Sequence, residues 1–167
     1  TVYATQSLQS DFLEMAIRHF RSHRERCSGS TYWQINDTYP TISWATLDYY
    51  GRWKGAHYVV KRSYGRVISY VETGADRVAR LYVSSDETRP MKLTCRLELI
   101  EQGKGVLHTE CREIIAEPLT SVCAASFKIP EMEELRSREC YLHYEIQCEE
   151  EVIDSGNRLL ERPKKFH

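Results

Sequence analysis

All three tryptophans of the 167-residue chain, Trp33, Trp44 and Trp53, fall between Ser30 and Tyr64, with Tyr32, Tyr39, Tyr49, Tyr50, Tyr58 and Tyr64. Each ring removes a large apolar area from water and still carries one polar tip. Such a cluster can plug a core between two structural layers, or it can present flat rings to a ligand. Its acids are Asp37 and Asp48, and its histidine is His57. No second ligand lies at usable spacing from His57, so it reads as a packed helix residue.

The remaining chemistry-bearing groups point to fewer reactions. Cysteines stand at positions 27, 95, 111, 123, 140 and 148, with no two-residue gap of the kind that builds a zinc knuckle or a redox motif. No metal site is read from them. Cys95 alternates with Leu93, Leu97 and Leu99, and free cysteine packs as a small hydrophobe. The set reads as reduced core thiols of a cytoplasmic protein, with a disulfide framework as the alternative. Glu149 to Glu151 reads as a hairpin turn. Asn36-Asp37-Thr38 matches the glycosylation pattern by accident.

Composition narrows the partners. The net charge is −1, so nothing global draws the chain to nucleic acid or an anionic membrane. No apolar run approaches the roughly 20 residues that span a bilayer. The chain starts at Thr1, almost directly in a helical pattern, and reads as a piece of something longer.

The elements that position these groups follow from periodicity. Thr5 to Arg26 carries Leu8, Phe12, Met15, Ala16 and Phe20 at helical spacing, which predicts an amphipathic helix burying that stripe, capped by Thr5 or Ser7. Arg18, Arg21, Arg24 and Arg26, with His19 and His23, read as a solvated basic end that complements the helix dipole. Cys27 to Gly29 break the helix, and Thr31 to Ile35 reads as a short strand. A loop follows, then a second helix from about Lys54 to Tyr64 with Trp53, His57, Val60 and Tyr64 on one stripe. Seven runs of strand formers come next: Val67 to Glu72, Arg77 to Ser84, Lys92 to Leu99, Val106 to Ile114, Thr120 to Phe127, Tyr141 to Cys148 and Val152 to Leu159. Short strands joined by turns over about a hundred residues predict an immunoglobulin-like sandwich.

The stretch YWQINDTYPTISWATLDYYGRWKGAHYVVKR resembles the end of the catalytic barrel in β-mannosidases of glycoside hydrolase family 2. The helix before it looks like the one leading into the last barrel strand. The strands after it, closing on RLLERPKKFH, are similar to the immunoglobulin-like domain that follows the barrel. The resemblance implies a mainly β chain: an immunoglobulin-like antiparallel β-sandwich over 65–167, preceded by the last α-β-α segment of a (β/α)8 barrel over 1–64.

It also implies a chemistry. Family members are retaining exo-glycosidases that release terminal β-linked mannose, and retention needs two carboxyl groups about 5 Å apart. Both are glutamates on earlier barrel strands, and neither motif occurs in this sequence, so the chain by itself is expected to be inactive and to carry no catalytic residue. Trp33, at the carboxyl end of the last strand, is implied to line the terminal sugar site, where an indole stacks on a pyranose face. Asn36 and Asp37 either shape that rim and bond sugar hydroxyls or simply form a turn. Trp44 and Trp53 are assigned to packing, and the tyrosines near Trp53 to sealing the contact with the sandwich. The expected partner is a β-mannoside or manno-oligosaccharide; no cofactor, metal, nucleic acid or membrane is expected. The other functional reading is a non-catalytic carbohydrate-binding or interaction module, which needs exposed aromatics on one sandwich face. An isolated barrel segment leaves apolar faces open, so it is expected to fold onto the sandwich or to pair with another copy.

Overall fold

The structure is a computed structural model that describes residues 2–131 and 139–161. The expected end of the sandwich at 162–167 lies outside the described residues. Helix α1 spans Val2–Ser22 and α2 Gly55–Ser63. Seven strands follow: β1 Val67–Thr73, β2 Val78–Ser85, β3 Met91–Glu101, β4 Gly105–Ala116, β5 Ser121–Lys128, β6 Cys140–Cys148 and β7 Glu151–Leu159. Each matches one predicted run. They form two antiparallel sheets, β1-β2-β5 and β4-β3-β6-β7.

Alternation decides which side chains meet between the sheets. Leu93, Cys95, Leu97 and Leu99 of β3 and Leu142 and Ile146 of β6 are fully buried, facing Val71, Leu81 and Val83 of the first sheet. β4 is an edge strand and keeps Val106, Leu107 and Ile115 exposed. The β6–β7 turn is Glu149-Glu150, the expected hairpin, since Cys148 pairs with Glu151 and Glu149 sits at φ 56°. Gly156 is required opposite Tyr144: a methyl there would lie 2.6 Å from the tyrosine Cζ. All six cysteines are thiols; Cys95 and Cys140 are buried as expected, whereas Cys111 and Cys123 are exposed rather than in the core.

The first helix differs from expectation in the face it buries. Leu8 is 70% exposed, Phe12 61%, and Met15 and Phe20 44% each, while Ser10, Ile17, Arg18 and Ser22 are buried. The stripe that meets the sandwich is therefore the polar one. It docks because each buried cation finds fixed acceptors. Arg18 pairs with Asp154 of β7 through both terminal nitrogens and donates to the Ser69 carbonyl at 2.7 Å. Its Nε stands 3.1 Å from the Glu14 carboxylate, an ion pair without an aligned hydrogen bond. Arg21 donates to the carbonyls of Ser63 and Gly65 and to Asp86; Arg24 also pairs with Asp86. Arg18, Arg21 and Arg24 form an interface, not a solvated end, whereas Arg26 is exposed as expected. Thr5 lies inside the helix, its hydroxyl donating to the Val2 carbonyl, so it is not the cap.

Residues 31–35 form no strand. Their ladder is one residue long: Thr46 N donates to Gln34 O at 3.1 Å and Leu47 N to Ile35 O at 2.6 Å, with isolated bridges Asn36–Leu47 and Leu47–Trp53. A strand needs a neighbour along its length, and among the described residues 46 and 47 flank only positions 34 and 35. Helix α2 lies within the predicted span, but Ala56, Val59, Val60 and Ser63 are its buried side, leaving Tyr58 and Tyr64 about half exposed.

Candidate functional site

The aromatic stretch is an open loop with a locked base. Ala45 and Thr46 are fully buried. The Thr46 hydroxyl donates to Ile35 O at 3.1 Å and stands 3.0 Å from His57 Nδ1, so His57 is the packed helix residue expected. Asp37 is buried, its carboxylate accepting the Ser43 hydroxyl and the Lys54 ammonium at 3.3 Å. Lys54 also reaches the Ser43 carbonyl. At the far end Asp48 accepts the N–H groups of Tyr50 and Arg52, both at 2.9 Å, and Arg52 Nε at 2.6 Å. Desolvation pushes the Asp48 carboxyl up, but those donors outweigh it and hold the group below its ordinary value. Gln9 of α1 ties the loop down by donating to Trp44 O at 2.6 Å.

On this base Trp33 stands 76% exposed, and its peptide bond to Gln34 is cis. No ring of the described residues stacks on it. Asn36, three positions on, is also exposed, its amide donating to Asp37 O at 3.3 Å. The arrangement offers a bare indole and an exposed carboxamide on a hydrogen-bonded floor. Neither acid of the loop is free for acid–base work: one is buried against Lys54 and Ser43, the other caps a turn.

A family description, mannosidase Ig/CBM-like domain, matches residues 77–165, just over half of the chain. The chain belongs to this family. Among curated relatives, β-mannosidase A of Aspergillus terreus is 39% identical over 109 residues, covering 62% of this chain and 12% of the relative. β-Mannosidase A of Aspergillus flavus is 32% identical over 136 residues, covering 77% of this chain and 13% of the relative. The chain thus spans about an eighth of the length of these relatives. The fold is shared with β-D-mannosidase from Dictyoglomus thermophilum at a TM-score of 0.82 and 22% identity, over 95% of this chain and 19% of that one. An exo-chitosanase from Amycolatopsis orientalis matches at 0.72 and 15%, over 91% and 18%. The resemblance to β-mannosidases of glycoside hydrolase family 2 and the mainly β, immunoglobulin-like fold are borne out.

The mannosidase Ig/CBM-like domain therefore carries the sandwich, and the aromatic loop precedes its matched region. The structure leaves Trp33 and Asn36 exposed and turns Asp37 inward. Trp44 is 61% exposed and unpacked in this chain. Trp53 is 45% exposed and leans on His57 and Tyr58, centroids 4.4 and 5.0 Å apart, not on the sandwich. Tyr64 likewise seals the loop, donating to Ser30 O at 2.9 Å.

Sequence reasoning missed a second cluster. His19 of α1 and His23, just past its end, meet Glu72 of β1, the donor atoms of all three within 4.8 Å of one another. The signal was the four-residue histidine spacing on a helix; the third member became visible only once β1 lay beside that helix.

Proposed function

We propose that this chain is part of a retaining exo-glycosidase that hydrolyses terminal β-D-mannosyl residues. In this reading residues 1–64 close a (β/α)8 catalytic barrel and 65–167 form the sandwich behind it. The two reacting glutamates lie elsewhere in the enzyme, and the chain alone is inactive. Trp33 is the stacking platform for the terminal sugar, Asn36 bonds a hydroxyl, and Asp37 holds the rim in shape from within. The observation that carries the reading is the bare indole of Trp33 on a locked loop, in a chain whose relatives are β-mannosidases.

The alternative, a carbohydrate-binding sandwich, lacks its platform. Among the described residues every exposed aromatic precedes residue 65, and Tyr70 and Tyr144 are buried.

Two measurements test the proposal. The purified chain is expected to leave a nitrophenyl β-mannoside uncleaved; hydrolysis above background would overturn the division of labour. In the complete enzyme, Trp33→Ala is expected to lower kcat/KM about tenfold, the loss of roughly 1.5 kcal/mol of ring contact. Thermal stability should be untouched, because Trp33 is already exposed.

A further inference from the structure

We propose that His19, His23 and Glu72 form a binding site for Zn²⁺ or a similar borderline transition-metal ion, clamping α1 to the sandwich. The inference is independent of the sugar-site reading. Two imidazoles and a carboxylate are a donor set that suits zinc. His19, in the last turn of α1, and His23, in the turn directly after it, have ring centroids 4.5 Å apart. Glu72 comes from β1 of the facing sheet, so the three ligands converge from two separate elements.

The distances fit with a small adjustment. Two donors on a tetrahedral zinc lie roughly 3.3 Å apart, given bonds of about 2.0–2.1 Å. His23 Nδ1 is 3.7 Å from Glu72 Oε1 and His19 Nδ1 is 2.7 Å from it. An ion seated here replaces the His19–Glu72 hydrogen bond, and Glu72 withdraws by less than about 1 Å. His23 Nδ1 stands 3.1 Å from the carbonyl of His19. Coordination through that nitrogen gives up this contact, and the His19 carbonyl keeps the Ser22 hydroxyl as its donor at 2.8 Å.

Two arginines border the site, and one of them is neutralised by an acid. Arg80 borders the same depression but is paired with Asp76, whose carboxyl that guanidinium holds down at about 2. Arg158 lies over the ring of Tyr70, 5.8 Å from its centroid. Tyr70 and Tyr82 wall the imidazoles at 6.2 and 5.8 Å between centroids, and the open side admits a water as fourth ligand. Because the ligands sit on both partners of the helix–sandwich contact, an ion bound there stabilises the docked state by mass action.

Zinc chloride is titrated into the metal-stripped chain by calorimetry, with melting followed with and without EDTA, and Co²⁺ visible absorption is recorded in parallel. The expected result is one saturable site, a melting temperature raised by zinc and restored by EDTA, and a tetrahedral cobalt spectrum. His23→Gln and Glu72→Gln should each weaken binding about tenfold or more. Absence of saturable binding overturns the proposal. So does binding that survives Glu72→Gln, which would mark a chelate of the helix alone, or binding that survives His23→Gln. His23 is partly exposed, and its variant reads the site even if Glu72→Gln perturbs the apo fold.

Discussion

At the scale of single residues, Tyr144 shows what burial does to a group that no function uses. It is 5% exposed beneath α1, and desolvation is the main cause that raises its phenol from 10.0 to about 12. Arg18 nearby pulls the other way; Glu14 and Asp154 add to the rise. A raised folded value means that above about pH 10 the unfolded chain has lost a proton that the native state still holds, so stability falls with pH. The contribution is complete below pH 10 and disappears as pH climbs towards about 12. Denaturant unfolding between pH 8 and 11 should show a shallower loss in Tyr144→Phe than in the parent sequence; identical slopes would show that the phenol titrates normally. The same scale explains why the exposure of Trp33 was legible and the burial of Asp37 was not. An aromatic ring signals a surface by its type. A carboxylate means whatever faces it, and Ser43 and Lys54 come to face Asp37 only once the loop has closed.

Elements were read well wherever one face of a strand met a core. The period of two in β3 and β6 places Leu93, Cys95, Leu97, Leu99, Leu142 and Ile146 inward, and the sheets have no other way to bury them. The rotation of α1 was misread because an apolar stripe is ordinarily the buried one, whereas here cations meet fixed acceptors on the sandwich. The expected strand at 31–35 failed for the complementary reason: among the described residues its hydrogen-bonding neighbours, 46 and 47, reach only positions 34 and 35. The helix reading yields a contrast that stability measurements can settle. Arg18→Met leaves Asp154 without its cation, partly offset by the Ser69 N–H and hydroxyl at 2.8 and 2.9 Å. It should cost about 3 kcal/mol, the lower end for a broken buried pair, and adding Asp154→Asn should recover part of that. Phe12→Lys, on the 61% exposed side, should change stability by no more than about 0.5 kcal/mol. A larger loss from Phe12→Lys than from Arg18→Met would mean that the helix is docked the other way round.

The whole molecule has one satisfied half and one unsatisfied half. The sandwich encloses its core between two sheets, while the exposed large side chains crowd into the first 64 residues: Leu8, Phe12 and Phe20 on α1, then Trp33, Ile35, Ile42 and Trp44 on the loop. Monomeric soluble proteins rarely keep so much contiguous apolar surface in water. In the proposed enzyme the remainder of the barrel covers it. In the chain alone nothing among the described residues does, and folding back onto the sandwich is already prevented, because α1 spends its polar face on that contact. Association with a second copy is the remaining way to remove the stripe from water. Light scattering should therefore show a mass above 19.6 kDa that rises with concentration, and Leu8→Lys with Phe12→Lys should return the chain to monomer without unfolding it. A strictly monomeric parent chain at all concentrations would mean that this surface is tolerated in water, and the argument from exposed area to a missing partner would fail with it.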